Sequence, residues 1–367
     1  MQQPGKVICS ILPPHILRKL ADKPELRDRV LRNIAITERL RGIRQSVIMR
    51  ALPPQPGTKH RTIFDAKTTT NLPGTQVRDE GDPPRDDVAV NEAYDYSGDT
   101  YDFYLQVFNR NSVDDHGLTL NSTVHYDQGY DNAFWNGEQM IYGDGDGQFF
   151  QRFTICLDVI GHELTHGVTQ NEAQLVYSGQ PGALNESISD VFGSLVKQWV
   201  NNQTADQADW LIGAGLFTNA VQGRALRSMS DPGTAYDDPN IGKDPQPANM
   251  ADYVNTTQDN GGVHINSGIP NRAFCLAART IGGYAWQRAG LIWYRTLTGA
   301  LNPNADFQTM ANATTTVAGN LFGQSSNEQN AVRDAWTTVG IAPTATQLTA
   351  LSAPAKAAAR GRGKAAD

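Results

Sequence analysis

One segment decides the fold of this chain: Val159-Ile160-Gly161-His162-Glu163-Leu164-Thr165-His166. His162 and His166 are four residues apart, so on an α-helix both imidazoles project from one face and can share a metal ion. Glu163 lies between them, where it cannot be a ligand but can reach a water at an open coordination position. An apolar stripe at helical spacing predicts that the segment is a helix: Leu157, Ile160, Leu164 and Val168.

A catalytic zinc needs a third protein ligand and one open position, and Glu186 is the best candidate for that ligand. It begins a second helical pattern of apolar residues: Ile188, Val191, Phe192, Leu195 and Val196. Asp190, one turn later, could accept a hydrogen bond from the outer ring nitrogen of a ligand histidine. Two histidines at this spacing also occur without a metal, either on a helix surface or buried in a core with their hydrogen bonds satisfied. The acidic partner downstream favours the metal site.

These segments resemble the thermolysin-like neutral metallopeptidases, a gluzincin family. The resemblance rests on His162-Glu163-Leu164-Thr165-His166 and Gly182-Ala183-Leu184-Asn185-Glu186-Ser187-Ile188-Ser189-Asp190. Further matching segments follow in one collinear order: Asn132–Gly137, Tyr142–Gly147, Leu226–Pro232 and Asp259–Gly268. The short N-terminal segment resembles the protealysin-like branch, which has a short propeptide.

The resemblance implies an α+β fold with two peptidase domains, and the zinc helix lies between them. We expect a short propeptide at 1–50, a sheet-rich N-terminal domain at 51–157 and a mainly helical C-terminal domain at 158–345. The segments Thr62–Ala66 and Ser122–Tyr126 have strand-like composition, which agrees with this division. Residues 346–367 are rich in Ala, Lys, Arg and Gly and are expected to be a disordered basic tail.

Charge is distributed unevenly along the 367 residues. The first 50 residues carry a net charge of +7 in a chain whose total is −7, which leaves −14 on the remainder. The acidic body disfavours a nucleic-acid partner, and no stretch is long and apolar enough to predict a membrane span. Pro13 and Pro14 interrupt the N-terminal apolar run before it reaches the length of a signal-peptide core. We therefore expect a cytoplasmic protein, or one secreted by a non-classical route.

The resemblance implies hydrolysis of internal peptide bonds, with zinc held by His162, His166 and Glu186 and with Glu163 as general base. His264 and Tyr177 match the pair that stabilises the developing oxyanion in the family, and Asp259 matches the aspartate that orients the histidine. Taken alone, His264 would be a structural histidine and Tyr177 a core aromatic residue.

Substrate is expected to bind as an added extended strand. Asn132 and Ala133 match the edge-strand contacts of the family, and Arg227 matches its carbonyl-binding arginine. The resemblance assigns four apolar residues to the pocket for the residue after the cut: Phe150, Val159, Ile212 and Leu226. Cleavage is therefore expected before Leu, Ile, Val or Phe. The alternative is that these four residues are ordinary core.

The N-terminal segment, called the leader below, is expected to cover the site as an intramolecular inhibitor until it is cut near Arg50-Ala51. A basic helical stretch runs from about His15 to Arg44. Cys9 and His15 are candidates for blocking the zinc, because a thiolate could fill its open position. The alternative for Cys9 is packing as a small hydrophobe.

Calcium is possible, but the paired-calcium site of the family looks lost. Asp158 and Asp209 are retained there, whereas Lys197, Leu211 and Ala214 stand in place of other acids. The ammonium of Lys197 could pair with Asp158 and replace one calcium charge. The Gly143–Gly147 turn contains two aspartates but has no glutamate at the twelfth loop position, so it is not an EF-hand. A single calcium elsewhere remains open.

Two other functions are compatible with parts of this set of residues. A zinc aminopeptidase would share the two histidines and one glutamate, but it needs acidic groups that hold the substrate amine, and no motif supplies them. A catalytically dead peptide-binding protein would not need Glu163, His264 and Tyr177 together.

Overall fold

The leader forms two helices on the surface of the peptidase body. The computed structural model describes residues 10–46 and 58–344, with side chains described for 10–37 and 58–344. Helix α1 spans Pro14–Ala21 and α2 spans Arg27–Ser46. The predicted helical stretch is thus interrupted at 22–26, where Pro24 cannot continue a helix. Cys9, the expected cut near 50–51 and the tail at 346–367 lie outside the described residues.

The first half of the body is built on a five-stranded mixed sheet covered by one long helix, α3 (Val88–Phe108). Its strands are β1 (Arg61–Asp65), β2 (Thr75–Asp79), β3 (Leu120–Val124), β4 (Ala133–Trp135) and β5 (Met140–Tyr142). Their order is β2-β1-β3-β5-β4, with β1, β3 and β5 parallel and both outer strands antiparallel to their neighbours. Strand β4 therefore lies at an edge of the sheet.

The second half is mainly helical. Its helices are α4 (Leu157–Asn171), α5 (Gly179–Val200), α6 (Asp259–Asn266), α7 (Gly268–Ile281), α8 (Ala289–Gly299), α9 (Phe307–Phe322) and α10 (Asn327–Thr338). Two short ribbons lie between α5 and α6: β6 (Leu211–Ile212) with β7 (Arg227–Ser228), and β8 (Asp237–Asp238) with β9 (Gly242–Lys243). A sheet-rich first half and a helical second half confirm the predicted α+β fold.

Helices α4 and α5 approach closely, and a glycine makes that approach possible. A Cβ atom on Gly193 of α5 would lie 2.4 Å from the carbonyl oxygen of Asp158 and 3.0 Å from the backbone nitrogen of His162. Because backbone cannot move aside as a flexible side chain can, only glycine fits there. The close crossing brings the first half of α5, which carries Glu186, against the histidine face of α4.

One continuous hydrophobic core joins the leader to both halves of the body. Leader residues in this core are Ile11, Leu12, Ile16, Leu17, Leu20, Leu26 and Val30, each at most 7% exposed. Among the described helices, none combines the length and apolar character needed to cross a bilayer.

Candidate metal centre and substrate cleft

The two histidines of α4 and Glu186 of α5 form a buried cluster that can hold a metal ion. Each residue offers one ligand atom, and these atoms all lie within 4.8 Å of one another. The Nε2 atoms of His162 and His166 are 2.9 Å apart, and a Glu186 carboxylate oxygen lies 3.5 Å from each. Oε2 of Glu186 is buried and accepts no hydrogen bond from the described residues. Two imidazoles and one carboxylate fit a catalytic zinc with an open position.

Hydrogen bonds on the outer side of the cluster set the orientation of both imidazoles. Nδ1 of His162 donates to Asp190 Oδ1 (2.8 Å), and Nδ1 of His166 donates to Asn185 Oδ1 (2.8 Å) with Ser189 Oγ at 2.9 Å. A proton on Nδ1 leaves the Nε2 lone pair facing the metal position. The sequence predicted the position of Asp190. It missed Asn185 and Ser189, which precede and follow Glu186 at spacings that helical geometry could have indicated.

Asp190 also holds a guanidinium. Arg227 donates from Nε to Oδ2 and from Nη2 to Oδ1, both at 2.8 Å, and Asn271 donates to Oδ2 at 2.8 Å. Burial acts to raise the pKa of Asp190, but the charges and hydrogen bonds of Arg227 and His162 outweigh it and hold that pKa well below its usual range. Asp190 is therefore a carboxylate that stays ionised in a fully buried position.

Glu163 lies between the metal helix and the edge strand. Its side chain is buried, and its Oε2 accepts a hydrogen bond from the backbone nitrogen of Trp135 in β4 (3.1 Å). This contact fixes the carboxylate beside the histidines without making it part of the ligand cluster, as the spacing of the motif predicts.

The predicted oxyanion pair, Tyr177 and His264, lies beside Glu186. The Tyr177 hydroxyl donates to Glu186 Oε1 and lies 3.3 Å from Nε2 of His264. His264 donates from Nδ1 to Asp259 Oδ1 (2.6 Å). Burial lowers the pKa of His264, but the Asp259 and Glu186 carboxylates outweigh it and raise that pKa above its ordinary value.

A run of left-handed backbone explains how Asp259 reaches back to His264. Residues Asp259, Asn260, Gly261 and Gly262 have φ between 50° and 84°. Asp, Asn and Gly are the residues that adopt this conformation at least cost. The resulting turn lets Asp259 Oδ2 accept the backbone N–H of His264 (2.9 Å) while its Oδ1 holds the ring.

Residues 10–12 of the leader occupy the cleft beside these groups. Ile11 N–H donates to the carbonyl of Ala133 (3.2 Å), and Leu12 N–H donates to Asn132 Oδ1 (3.1 Å). The carbonyl of Ile11 accepts from Arg227 Nη1 (3.0 Å). The structure thus brings together the three residues that the resemblance assigned to the substrate backbone. Ala133 on edge strand β4 holds the leader through its carbonyl, and Asn132 and Arg227 hold it through their side chains.

The same segment reaches the oxyanion pair. The carbonyl of Ser10 accepts from Nε2 of His264 at 3.0 Å. Ile11 is fully buried and belongs to the same core cluster as the four pocket residues predicted from sequence: Phe150, Val159, Ile212 and Leu226.

His15, expected as a candidate for blocking the zinc, is not one of the three clustered ligand residues found in the described part of the chain. Its Nε2 forms a hydrogen bond with the Tyr236 hydroxyl (2.7 Å), and burial lowers its pKa to about 4. Helix α1 begins at Pro14, just before His15, and His15 interacts electrostatically with Asp259, His264 and Arg227, so it lies near the cleft.

At the place where the family has its paired-calcium site, this protein has the side chain of Lys197. Lys197 Nζ lies 2.7 Å from Asp158 Oδ2 and 3.0 Å from Asp209 Oδ1, and it donates to the carbonyl of Leu211 (2.7 Å). Burial lowers the pKa of Lys197, but the two carboxylates outweigh it and raise that pKa. The ammonium thus occupies the place among these oxygens that a cation would take.

Comparisons with known proteins cover nearly the whole chain. The family model described as "Thermolysin metallopeptidase, catalytic domain" matches residues 55–170, and "Thermolysin metallopeptidase, alpha-helical domain" matches residues 173–341. The chain is 51% identical over 344 residues to an extracellular metalloprotease of Pectobacterium carotovorum subsp. carotovorum, covering 92% of this chain and 97% of that protein. It is 53% identical over 287 residues to protease PrtS of Photorhabdus sp. (strain Az29), covering 77% of each.

A solved structure of a precursor protein has a similar fold. The precursor of protealysin, a metalloproteinase from Serratia proteamaculans, superposes with a TM-score of 0.83 at 54% sequence identity. The match covers 91% of this chain and all of that one.

The expectation of a cytoplasmic location is wrong. Similar proteins from Pectobacterium carotovorum and Serratia marcescens are named extracellular metalloproteases, which implies secretion. The expectation rested on the short N-terminal apolar run, and such a run reports on only one route of export.

Proposed function

Because the chain belongs to the thermolysin metallopeptidase family, we propose that His162, His166 and Glu186 are its zinc ligands and that Glu163 is its general base. The protein is a zinc-dependent metalloendopeptidase made as a precursor. These roles are supported mainly by one observation, which is that the leader binds in the cleft. It engages the groups expected to bind substrate while the three ligand residues stand together beside them.

Bound zinc would polarise the carbonyl of the peptide bond and lower the pKa of a water molecule at its open position. Glu163 takes the proton from the attacking water and passes it to the leaving amine, which needs a carboxylate within hydrogen-bond reach. The Tyr177 hydroxyl and Nε2 of His264 donate to the carbonyl oxygen as negative charge develops there. Asp259 keeps the ring of His264 oriented for this task.

Arg227, Asn132 and Ala133 position the substrate chain through its backbone. These groups recognise N–H and C=O rather than side chains, so they bind many sequences in one extended register. Holding the peptide bond in a fixed position removes much of the entropy cost of the reaction.

The leader indicates which side chain sets specificity. The Ser10 carbonyl lies where the carbonyl of the cut bond is expected, so Ile11 takes the place of the residue after the cut. Ile11 is fully buried in the core to which the predicted pocket residues belong. We therefore propose cleavage on the N-terminal side of Leu, Ile, Val or Phe, because burial of such side chains favours binding.

We propose that residues 1–50 are the propeptide and inhibit the enzyme by filling the cleft with residues 10–12. The protein acts on peptide substrates and has its own leader as a partner. We also propose that neither nucleic acid nor a membrane is a partner, and the charge of −14 outside the leader supports the first part.

The test compares two internal-leucine peptides, one blocked at its N-terminus and one free, with leader-free enzyme. An endopeptidase cuts both before the leucine. Cleavage of the free peptide alone, from its N-terminus, would establish an aminopeptidase, and binding without cleavage would establish a peptide clamp. The matched variant Glu163→Gln should keep its zinc and lose at least about 100-fold in kcat. Undiminished cleavage by that variant would refute the role of Glu163.

A further inference from the structure

The second leader helix places a guanidinium on two buried carboxylates of the body. Nη2 of Arg29 lies 2.6 Å from Asp146 Oδ2 and 4.0 Å from Asp131 Oδ2. Both aspartate side chains are 0% exposed. Asn33 on the same helix donates to Asp131 Oδ2 (3.2 Å) and to the carbonyl of Gly129 (3.1 Å). Oxygen atoms of three body residues therefore converge on leader donors.

The two carboxylates are held by the body itself. Oδ1 of Asp146 accepts three backbone N–H groups, from Gln148 (2.9 Å), Phe149 (2.7 Å) and Phe150 (2.9 Å), which fixes Oδ2 toward Arg29. Asp131 precedes the substrate-binding Asn132 in sequence, and its Oδ1 accepts no hydrogen bond from the described residues. The body thus presents a fixed pair of acidic oxygens and one buried oxygen still open to a ligand.

Arg29 of the leader brings a positive charge to the carboxylates of Asp131 and Asp146. Burial and the negative charge of Asp146 raise the pKa of Asp131 to about 8, while Arg29 acts to lower it. The two carboxylates repel one another, and in the precursor Arg29 compensates part of their negative charge. When the leader departs, the compensation supplied by Arg29 departs with it.

We propose that Asp131, Asp146 and the carbonyl of Gly129 form a cation site, which Arg29 fills in the precursor and a calcium ion fills after the leader leaves. Carboxylate and carbonyl oxygens are the ligands that calcium takes, and its coordination is flexible enough to be completed by water. The site is separate from the position of Lys197, where an ammonium already stands among the carboxylates.

Calcium bound at this site would favour activation of the precursor. Arg29 and calcium compete for the same oxygens, so calcium favours the leader-free state by the difference in its affinity for the two states. This role goes beyond peptide hydrolysis and does not depend on how the peptide bond is cut.

The test titrates calcium into zinc-loaded full-length protein by calorimetry, with every variant made in an E163Q background so that self-processing cannot remove the leader. Adding Arg29→Ala should create one calcium site with a dissociation constant on the order of 0.1–1 mM. The parent should bind at least about tenfold more weakly. Arg18→Ala is the matched control, because it removes the same charge from an exposed contact with Gln258. It should behave like the parent.

A second change locates the site. Asp131→Asn added to Arg29→Ala keeps the volume of the side chain and should abolish the calcium site. Folded E163Q protein whose leader an added protease has digested completely should bind calcium as Arg29→Ala does, which keeps the test valid if that variant misfolds. The proposal is overturned if leader-free protein binds no calcium, if Asp131→Asn retains the site, or if Arg18→Ala gains it equally. None of these outcomes bears on peptidase activity.

Discussion

Arg227 and Asp190 form a fully buried ion pair through two hydrogen bonds of 2.8 Å. The same carboxylate accepts from the ligand histidine His162, and the same guanidinium donates to the Ile11 carbonyl of the leader. One ion pair therefore connects the orientation of the metal ligand His162 to the binding of a peptide chain in the cleft. We expect that changing Asp190 alters zinc binding and that changing Arg227 alters peptide binding.

Asp190→Asn should weaken zinc binding by about 10–100-fold, because His162 loses the carboxylate that fixes its tautomer. Arg227→Lys should keep the zinc but lower kcat/KM, since a lysine cannot reproduce the paired hydrogen bonds or reach the carbonyl in the same geometry. Zinc content after dialysis against a competing chelator, measured beside peptide kinetics, distinguishes the two. Full zinc retention in Asp190→Asn would contradict the assigned role.

Ile11→Asp should activate the uncut precursor. A charged side chain cannot stay in the buried position of Ile11, so residues 10–12 should leave the cleft. Activity on a short blocked peptide should rise by at least about tenfold relative to the intact parent. Leu31→Asp is the control, because Leu31 lies on the same leader and is 50% exposed. Equal activity in the parent and Ile11→Asp, with gels showing both uncut, would mean that this segment does not inhibit.

Lys197→Met in the precursor should reduce the free energy of unfolding by about 3–5 kcal/mol, because it leaves the buried Asp158 carboxylate without its cation. The exposed Lys243→Met should change it by less than about 0.5 kcal/mol. Removing calcium from the wild-type precursor, with zinc resupplied, should leave its melting temperature nearly unchanged. A large drop on calcium removal would contradict the replacement of calcium by Lys197 in the precursor.

His125 should make stability depend on pH. It lies between Asp144 (2.9 Å) and Asp87 (2.8 Å), whose hydrogen bonds raise its pKa from 6.5 to about 9 despite burial. A raised pKa stabilises the fold fully below about pH 6.5, and the contribution disappears as pH rises through 9. His125→Asn suits the left-handed backbone there, with φ of 53°.

Urea unfolding at pH 6 and pH 10 tests this dependence. The variant should lose on the order of 1 kcal/mol relative to wild type at pH 6, a value discounted for partial exposure. At pH 10 the difference should be much smaller. A difference that is the same at both values would exclude the charged histidine as the cause.

The metal cluster was predictable because its spacing is local. A spacing of four residues on one helix places two imidazoles together, and an acidic residue in the first half of the next helix completes the set. Asn185 and Ser189 follow from the same helical geometry and could have been named. Family resemblance was needed for His264, because only the fold brings it to Tyr177.

The leader contacts were not predictable in detail, since they join residues far apart in sequence. Arg29 meets Asp146 across 117 residues, and Ile11 bonds to an edge strand through backbone atoms that any residue carries. The contact of His15 with Tyr236, across 221 residues, was not predictable for the same reason.

The leader shares a hydrophobic core with the body through residues such as Ile16, Leu20 and Val30. Scission of the connecting chain changes none of those contacts, so a nicked molecule should still carry its severed leader. Activation then has two kinetic steps. The rate of the first step, cleavage, depends on the concentration of the cutting protease. The rate of the second step, first-order dissociation of the leader, does not depend on that concentration.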